Sequence, residues 1–160
     1  GGLGNDSLTS GTGNDVFWVA ATGISNDGTD TITDFVSASG ANMDKIGLLD
    51  VFPNTASNAT LNSSDFASPT NVAALNSSNA NKVNESQSAQ TTTNITGATV
   101  SGMTDAYLLC FNSTAGFGQL WFDDNWGTTG GRSLLVNFTS LTNLSAVTAI
   151  TNSNFCTITL

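Results

Sequence analysis

Three features of this 160-residue chain predict an all-β fold in two parts, with at most one short helix. Two consecutive nine-residue units open it, each a glycine-rich turn followed by a short apolar stretch. Four segments with alternating apolar residues, between positions 105 and 160, follow later and read as antiparallel strands in a β-sandwich-like arrangement. Between the two parts lies a region built largely from Asn, Ser, Thr, Ala and Gly.

Gly1-Gly2-Leu3-Gly4-Asn5-Asp6-Ser7-Leu8-Thr9 fits Gly-Gly-x-Gly-x-Asp-x-apolar-x at every defined position. Ser10-Gly11-Thr12-Gly13-Asn14-Asp15-Val16-Phe17-Trp18 repeats the pattern with serine, itself a turn residue, in first place. A turn wrapped around a cation must aim its carbonyls inward, and glycine adopts the required backbone angles cheaply. The aspartate adds a hard, charged oxygen suited to calcium, and the apolar residue two places later points into a narrow core from a short parallel strand. Such a pattern signals a calcium-binding β-roll. Gly2, Gly4 and Asp6 in the first turn, and Gly11, Gly13 and Asp15 in the second, are therefore candidate sources of ligand oxygen for Ca2+.

These units resemble the repeats of the RTX family of secreted bacterial proteins. The resemblance extends through Asp27-Gly28-Thr29-Asp30-Thr31-Ile32-Thr33-Asp34-Phe35 and Asp44-Lys45-Ile46-Gly47-Leu48, which look like the segment that closes the β-roll in that family. A looser similarity, to the tails that follow the repeats of type I secreted proteins, is carried by Ala106-Tyr107-Leu108-Leu109, Leu120-Trp121-Phe122-Asp123 and Leu134-Leu135-Val136-Asn137-Phe138. The resemblance implies that each nonapeptide is half a turn, so that loops on one side recur about eighteen residues apart and share calcium. On that basis Asp15 is expected to share its ion with the chain near Asp27 to Asp30, and Asp6 with the loop near Gly23 or with a repeat preceding Gly1. Asp34 either ligates calcium or caps the turn into Val36-Ser37, and the resemblance favours ligation. The alternative to all of this is a glycine-rich turn array without metal, in which carboxylates would line the turns with no cation to offset them.

Charge points the same way. Three Lys plus Arg stand against twelve Asp plus Glu, with no histidine, for a formal charge of −9. This balance argues against nucleic acid or anionic lipid as a partner and in favour of cations. Asp6, Asp15, Asp27, Asp30, Asp34, Asp44 and Asp50 crowd the first fifty residues, so folding and calcium binding are expected to be coupled. Without histidine, zinc, haem and Ser-His-Asp chemistry lack their usual ligands or bases. No nucleophile–base pair can be placed, so this segment is not expected to be an enzyme. No apolar run is long enough to span a membrane, and a signal peptide is not expected ahead of the first repeat. A roll needs neighbours to cover its end, so the chain is expected to be the C-terminal piece of a longer protein.

Three regions follow: residues 1–52 as the roll and its closing segment, 53–102 as an Asn/Ser/Thr-rich connection, and 103–160 as the antiparallel part with a secretion signal in its low-charge end. Strands are expected at Phe17 to Ala20, Thr29 to Val36, Lys45 to Val51, Asp105 to Phe111, Gly118 to Asp123, Ser133 to Ser140 and Asn154 to Leu160. Thr70-Asn71 could start a short helix through Val72 to Leu75, and Asn76 to Thr93 reads as surface loop. Cys110 and Cys156 permit one disulfide or remain two buried thiols. Asp123-Asp124-Asn125 reads as a hairpin corner in preference to a second calcium turn, and Trp18, Trp121 and Trp126 as core or turn-covering residues.

The leading expectation is a calcium-binding C-terminal module of a type I secreted, extracellular or cell-surface protein of surface-layer or adhesin type. Its partners would be calcium, the type I secretion machinery, and copies of itself or cell-surface polysaccharide. The alternative is the same module trailing a secreted metalloprotease or lipase whose catalytic domain lies upstream.

Overall fold

The computed structural model describes residues 1–19, 28–37, 42–49 and 51–158. The expected strand positions at Ala20, Asp50, Thr159 and Leu160 lie outside that set. Ten strands are formed: β1 (Ser7–Leu8), β2 (Val16–Val19), β3 (Asp30–Ile32), β4 (Lys45–Leu49), β5 (Phe66–Ala67), β6 (Val83–Glu85), β7 (Thr104–Asn112), β8 (Phe117–Asn125), β9 (Ser133–Phe138) and β10 (Phe155–Ile158). Two short helices, α1 (Thr92–Gly97) and α2 (Leu144–Val147), accompany four 3₁₀ turns, so the all-β class holds. No described helix is long and apolar enough to cross a membrane.

The first four strands alternate between two sheets as the chain advances. β1 pairs in parallel with β3, and β2 in parallel with β4. The next rung comes from far along the chain: β9 adds in parallel to β3, and β10 in parallel to β4. Residues 133–158 thus extend the two sheets that the nonapeptides begin. The larger sheet continues through the antiparallel strands β8 and β7 to β6 and β5, in the order β1-β3-β9-β8-β7-β6-β5, while the smaller has the order β10-β4-β2. The antiparallel reading holds for β7, β8 and β9. It fails for the last strand, because β10 takes β4 as its partner.

The alternating pattern of the strands makes two cores. Phe17, Val19, Ile46, Leu48 and Phe155 of the small sheet face Ile32, Tyr107, Leu109, Leu120, Phe122, Val136 and Phe138 of the large one. Phe66 of β5 meets Phe155 of β10 across the two sheets at 6.0 Å between ring centroids, and Tyr107 packs against Phe122 within the large sheet at 4.8 Å. On the far side of the large sheet, Leu108, Cys110 and Trp121 pack under Val72, Ile95, Met103 and Trp126. Trp121 and Trp126 are therefore core residues, whereas Trp18 is 61% exposed on the outer face of β2. Cys110 and Cys156 are both free thiols, on strands of different sheets.

The polar composition of the middle region has a local use. Asn62, Asn71, Asn76 and Thr91, and beyond that region Asn143 and Thr151, each cap the first turn of a short helical segment, with side-chain oxygens accepting backbone N–H groups. The segment expected as a helix after Asn71 is a single 3₁₀ turn, Val72–Ala74. The stretch expected as surface loop contains β6, an inner strand whose three residues are all buried.

Two of those buried residues are polar. The Asn84 amide donates to the Tyr107 carbonyl at 3.2 Å and accepts from Asn79 at 2.7 Å. Glu85 accepts from Ser68 Oγ and from the Gln87 amide through Oε2, while its Oε1 is buried without a partner. Burial pushes the Glu85 carboxyl up to about 7, against the opposing pull of those two donors. The folded chain then holds this proton more tightly than the unfolded chain. Glu85 is neutral in both states at low pH, and it destabilises the fold progressively as pH rises from the ordinary carboxylate range to about 7. Glu85→Gln is expected to stabilise the chain by about 2 kcal/mol more at pH 8 than at pH 4, since each tenfold gain in proton affinity corresponds to roughly 1.4 kcal/mol and solvent screening takes back part of the total. Urea unfolding of both proteins at the two pH values measures this, and a pH-independent difference would contradict it.

Candidate calcium turns

The glycines of both nonapeptides adopt the backbone that the pattern requires. Gly2, Gly4, Gly11 and Gly13 have φ of +108°, +102°, +87° and +136°, all in the region that disfavours side chains. The first turn also closes upon its own aspartate, since a Cβ placed on Gly1 would collide with the Asp6 carboxylate.

Register decides which carboxylates meet. Ser7 lies beside Thr31, and Val16 beside Lys45. The Asp6 N–H donates to Asp30 Oδ1 at 3.0 Å across 24 residues, and the Asp15 N–H to Asp44 Oδ1 at 3.2 Å across 29. Asp6 therefore stacks on Asp30 at one edge of the roll, and Asp15 on Asp44 at the other. Asp30, at the end of the stretch expected to share an ion with Asp15, meets Asp6 in its place. Same-side partners are 24 and 29 residues apart in the chain and not eighteen. Asp27 and Gly23 lie outside the described residues.

The acidic and amide side chains fall into two groups. One group joins rungs. Asp34 accepts the Ser10 N–H at 3.1 Å through Oδ1 and the Gly11 N–H at 2.8 Å through Oδ2. The Gly11 N–H is the foremost reason that the Asp34 carboxyl is held below its ordinary range, with burial opposing and the Ser10 N–H assisting. Asp44 accepts the Val36 N–H at 2.9 Å with the oxygen that Asp15 leaves free. Asn5 accepts the Thr29 N–H at 2.7 Å, and Asn14, at the same place in the second nonapeptide, accepts the Met43 N–H at 3.0 Å. Asp44, Asn5 and Asn14 are contributors beyond the ligand pattern. The recurrence of Gly-Asn-Asp in both units was the available signal for the two asparagines.

The second group consists of Asp6 and Asp15. Each has one carboxylate oxygen, Oδ2, that is buried and without a hydrogen-bond partner. Burying an uncompensated charged oxygen is costly, and these two belong to the sixth-position aspartates of the nonapeptides. Among the described residues no three carboxylate or thiol side chains gather around one point. A cation held here would therefore draw most of its oxygens from the carbonyls of the glycine turns, a donor set that suits calcium.

Asp123 and its neighbours form a structural corner. Asp123 accepts the Asn125 N–H at 2.9 Å and faces Arg132 Nε at 3.6 Å. Burial pushes the Asp123 carboxyl up, while the Asn125 N–H and the Arg132 guanidinium pull it down. Arg132 stacks 4.5 Å from the Trp126 ring centroid, and it donates to the carbonyls of Thr96 and Ala98.

Gly28, at φ +77°, carries the closest approach between rungs, since a Cβ there would collide with the Gly4 carbonyl and the Asn5 amide. Gly28→Ala is expected to destabilise the chain by about 3 kcal/mol through backbone strain and displacement of the first turn. Thermal or urea unfolding measures it, and a change below about 1 kcal/mol would contradict the assigned contact. No protein-family model, curated protein or solved structure matches this chain.

Proposed function

We propose that this chain is a calcium-binding module of a type I secreted, extracellular protein, of the surface-layer or adhesin kind, and is not itself an enzyme. The observation that carries the reading is the pair of buried, partnerless oxygens on Asp6 and Asp15. Each belongs to a turn whose glycines have positive φ, in a chain with nine more acidic than basic side chains. Asp6 and Asp15 would supply the charged ligand oxygens, with carbonyls of the Gly2–Gly4 and Gly11–Gly13 turns around them and Asp30 and Asp34 bordering the two turns. Calcium would supply the positive charge that neither turn contains. Calcium is scarce in the cytosol and plentiful outside cells, so the repeats would order after export by the type I machinery.

Sites of this extracellular class bind calcium at about 10⁻⁴ to 10⁻³ M. Addition of 10 mM calcium to chelator-treated protein is therefore expected to stabilise it by about 2 kcal/mol, or roughly 5 °C in melting temperature. Circular dichroism with and without chelator tests this, and superimposable melting curves would remove the reading.

Ligand and rung-joining roles separate by substitution. Asp6→Asn and Asp15→Asn are expected to weaken calcium binding at least tenfold by calorimetric titration and to affect the metal-free fold little. Asp34→Asn is expected to lower stability by about 1 to 2 kcal/mol with chelator present, because the Ser10 and Gly11 N–H groups lose a charged acceptor. Unchanged calcium affinity in both Asp6→Asn and Asp15→Asn would refute their assignment.

A further inference from the structure

A cleft of about 680 Å³ lies between the 3₁₀ turn Val72–Ala74 and α1, far along the large sheet from the glycine turns. This volume is within the range of small-molecule sites. We propose that the cleft binds a short neutral saccharide.

The chemistry of the lining carries the proposal. None of its residues ionises, although the chain as a whole has a charge of −9. Cations and anions thus find no countercharge in the cleft. Side chains of Asn71, Ser88, Gln90, Thr93, Asn94 and Thr99 offer amides and hydroxyls, the complement of sugar hydroxyls. Val72, Leu75 and Val100 offer aliphatic surface beside them, which suits the C–H faces of a pyranose ring.

Two further observations set these polar groups apart. Several asparagines of the middle region are occupied: Asn62, Asn76 and, in the lining itself, Asn71 cap turns, and Asn79 and Asn84 bond one another. Asn94 and Thr93, by contrast, make no side-chain hydrogen bond among the described residues, so the fold does not require their polar atoms. The walls that present them are fixed in advance. Gln90 joins the Phe111 carbonyl at 2.9 Å, and its amide nitrogen is held by Ser86 and by Ser88. Arg132 holds the Thr96 and Ala98 carbonyls at the end of α1, and the Val100 N–H meets the Trp126 carbonyl at 2.7 Å. A preordered cleft loses little conformational freedom on binding.

The test is a titration of the ¹⁵N-labelled full chain with maltotriose and with N,N′-diacetylchitobiose, with trigalacturonate as the charged counterpart. At least one neutral probe is expected to give saturable amide shifts at Ala73, Gln90, Asn94 and Gly97, with a dissociation constant on the order of millimolar. Gly97 has no atom within 4 Å of a built Cβ, so Gly97→Phe should fill the cleft without disturbing the fold, and it is expected to weaken binding at least tenfold. Asn94→Ala, which removes only an unengaged amide, is expected to weaken it at least threefold. The absence of saturable shifts with both neutral probes would overturn the proposal. So would shifts centred away from the cleft, tighter binding of trigalacturonate, or unchanged affinity in both variants.

Discussion

Satisfaction of turn N–H groups by oxygens of the neighbouring rung is the constraint on which the parallel half depends. Its strands are two to five residues long, too short for their ladder bonds alone to fix the corners. Each corner leaves backbone donors that need partners. Asn5, Asn14, Asp34 and Asp44 supply acceptors across the gap, and the Asp6 N–H finds Asp30. The same residues that give the region its negative charge therefore give it much of its order. Among the carboxylates of this half, the buried Oδ2 atoms of Asp6 and Asp15 are left without a hydrogen-bond partner.

The middle region obeys a similar economy with neutral groups. Its asparagines and threonines begin short helical turns in place of long helices, each closing a corner with one side-chain oxygen. These corners cover the outer face of β7 and β8 and bury Trp121 and Trp126. Arg132, the single arginine, ties α1 to the β8–β9 corner through carbonyls, a carboxylate and an aromatic face. One cation thus serves as the bracket between the helix and the antiparallel sheet.

What the sequence made legible follows from how local each signal is. The glycine turns and the alternation of Tyr107 and Leu109 against Leu108 and Cys110 act over a few residues, and both appear in the fold as read. β6 escaped notice because its buried side chains include Asn84 and Glu85, which satisfy a network instead of displaying an apolar face. The stacking of Asp15 on Asp44 spans 29 residues, a separation that the nine-residue pattern does not encode. The partner of β10 was illegible for a stronger reason, since Ile46 and Phe155 meet only after the whole middle region has been accommodated. Asp34 showed an acceptor with two uses, and its hydrogen bonds to Ser10 and Gly11 are visible only in three dimensions.

The completion of the roll by residues 133–158 has a kinetic meaning. Thr29 bonds the Leu134 carbonyl across 105 residues, and Asn154 bonds the Asp44 carbonyl across 110. Such separations raise contact order, and loop closure must precede the contacts that compensate for it. The ladders begun by β3 and β4 are complete only once β9 and β10 have joined them. The topology therefore favours slow completion of the parallel half relative to the antiparallel hairpins.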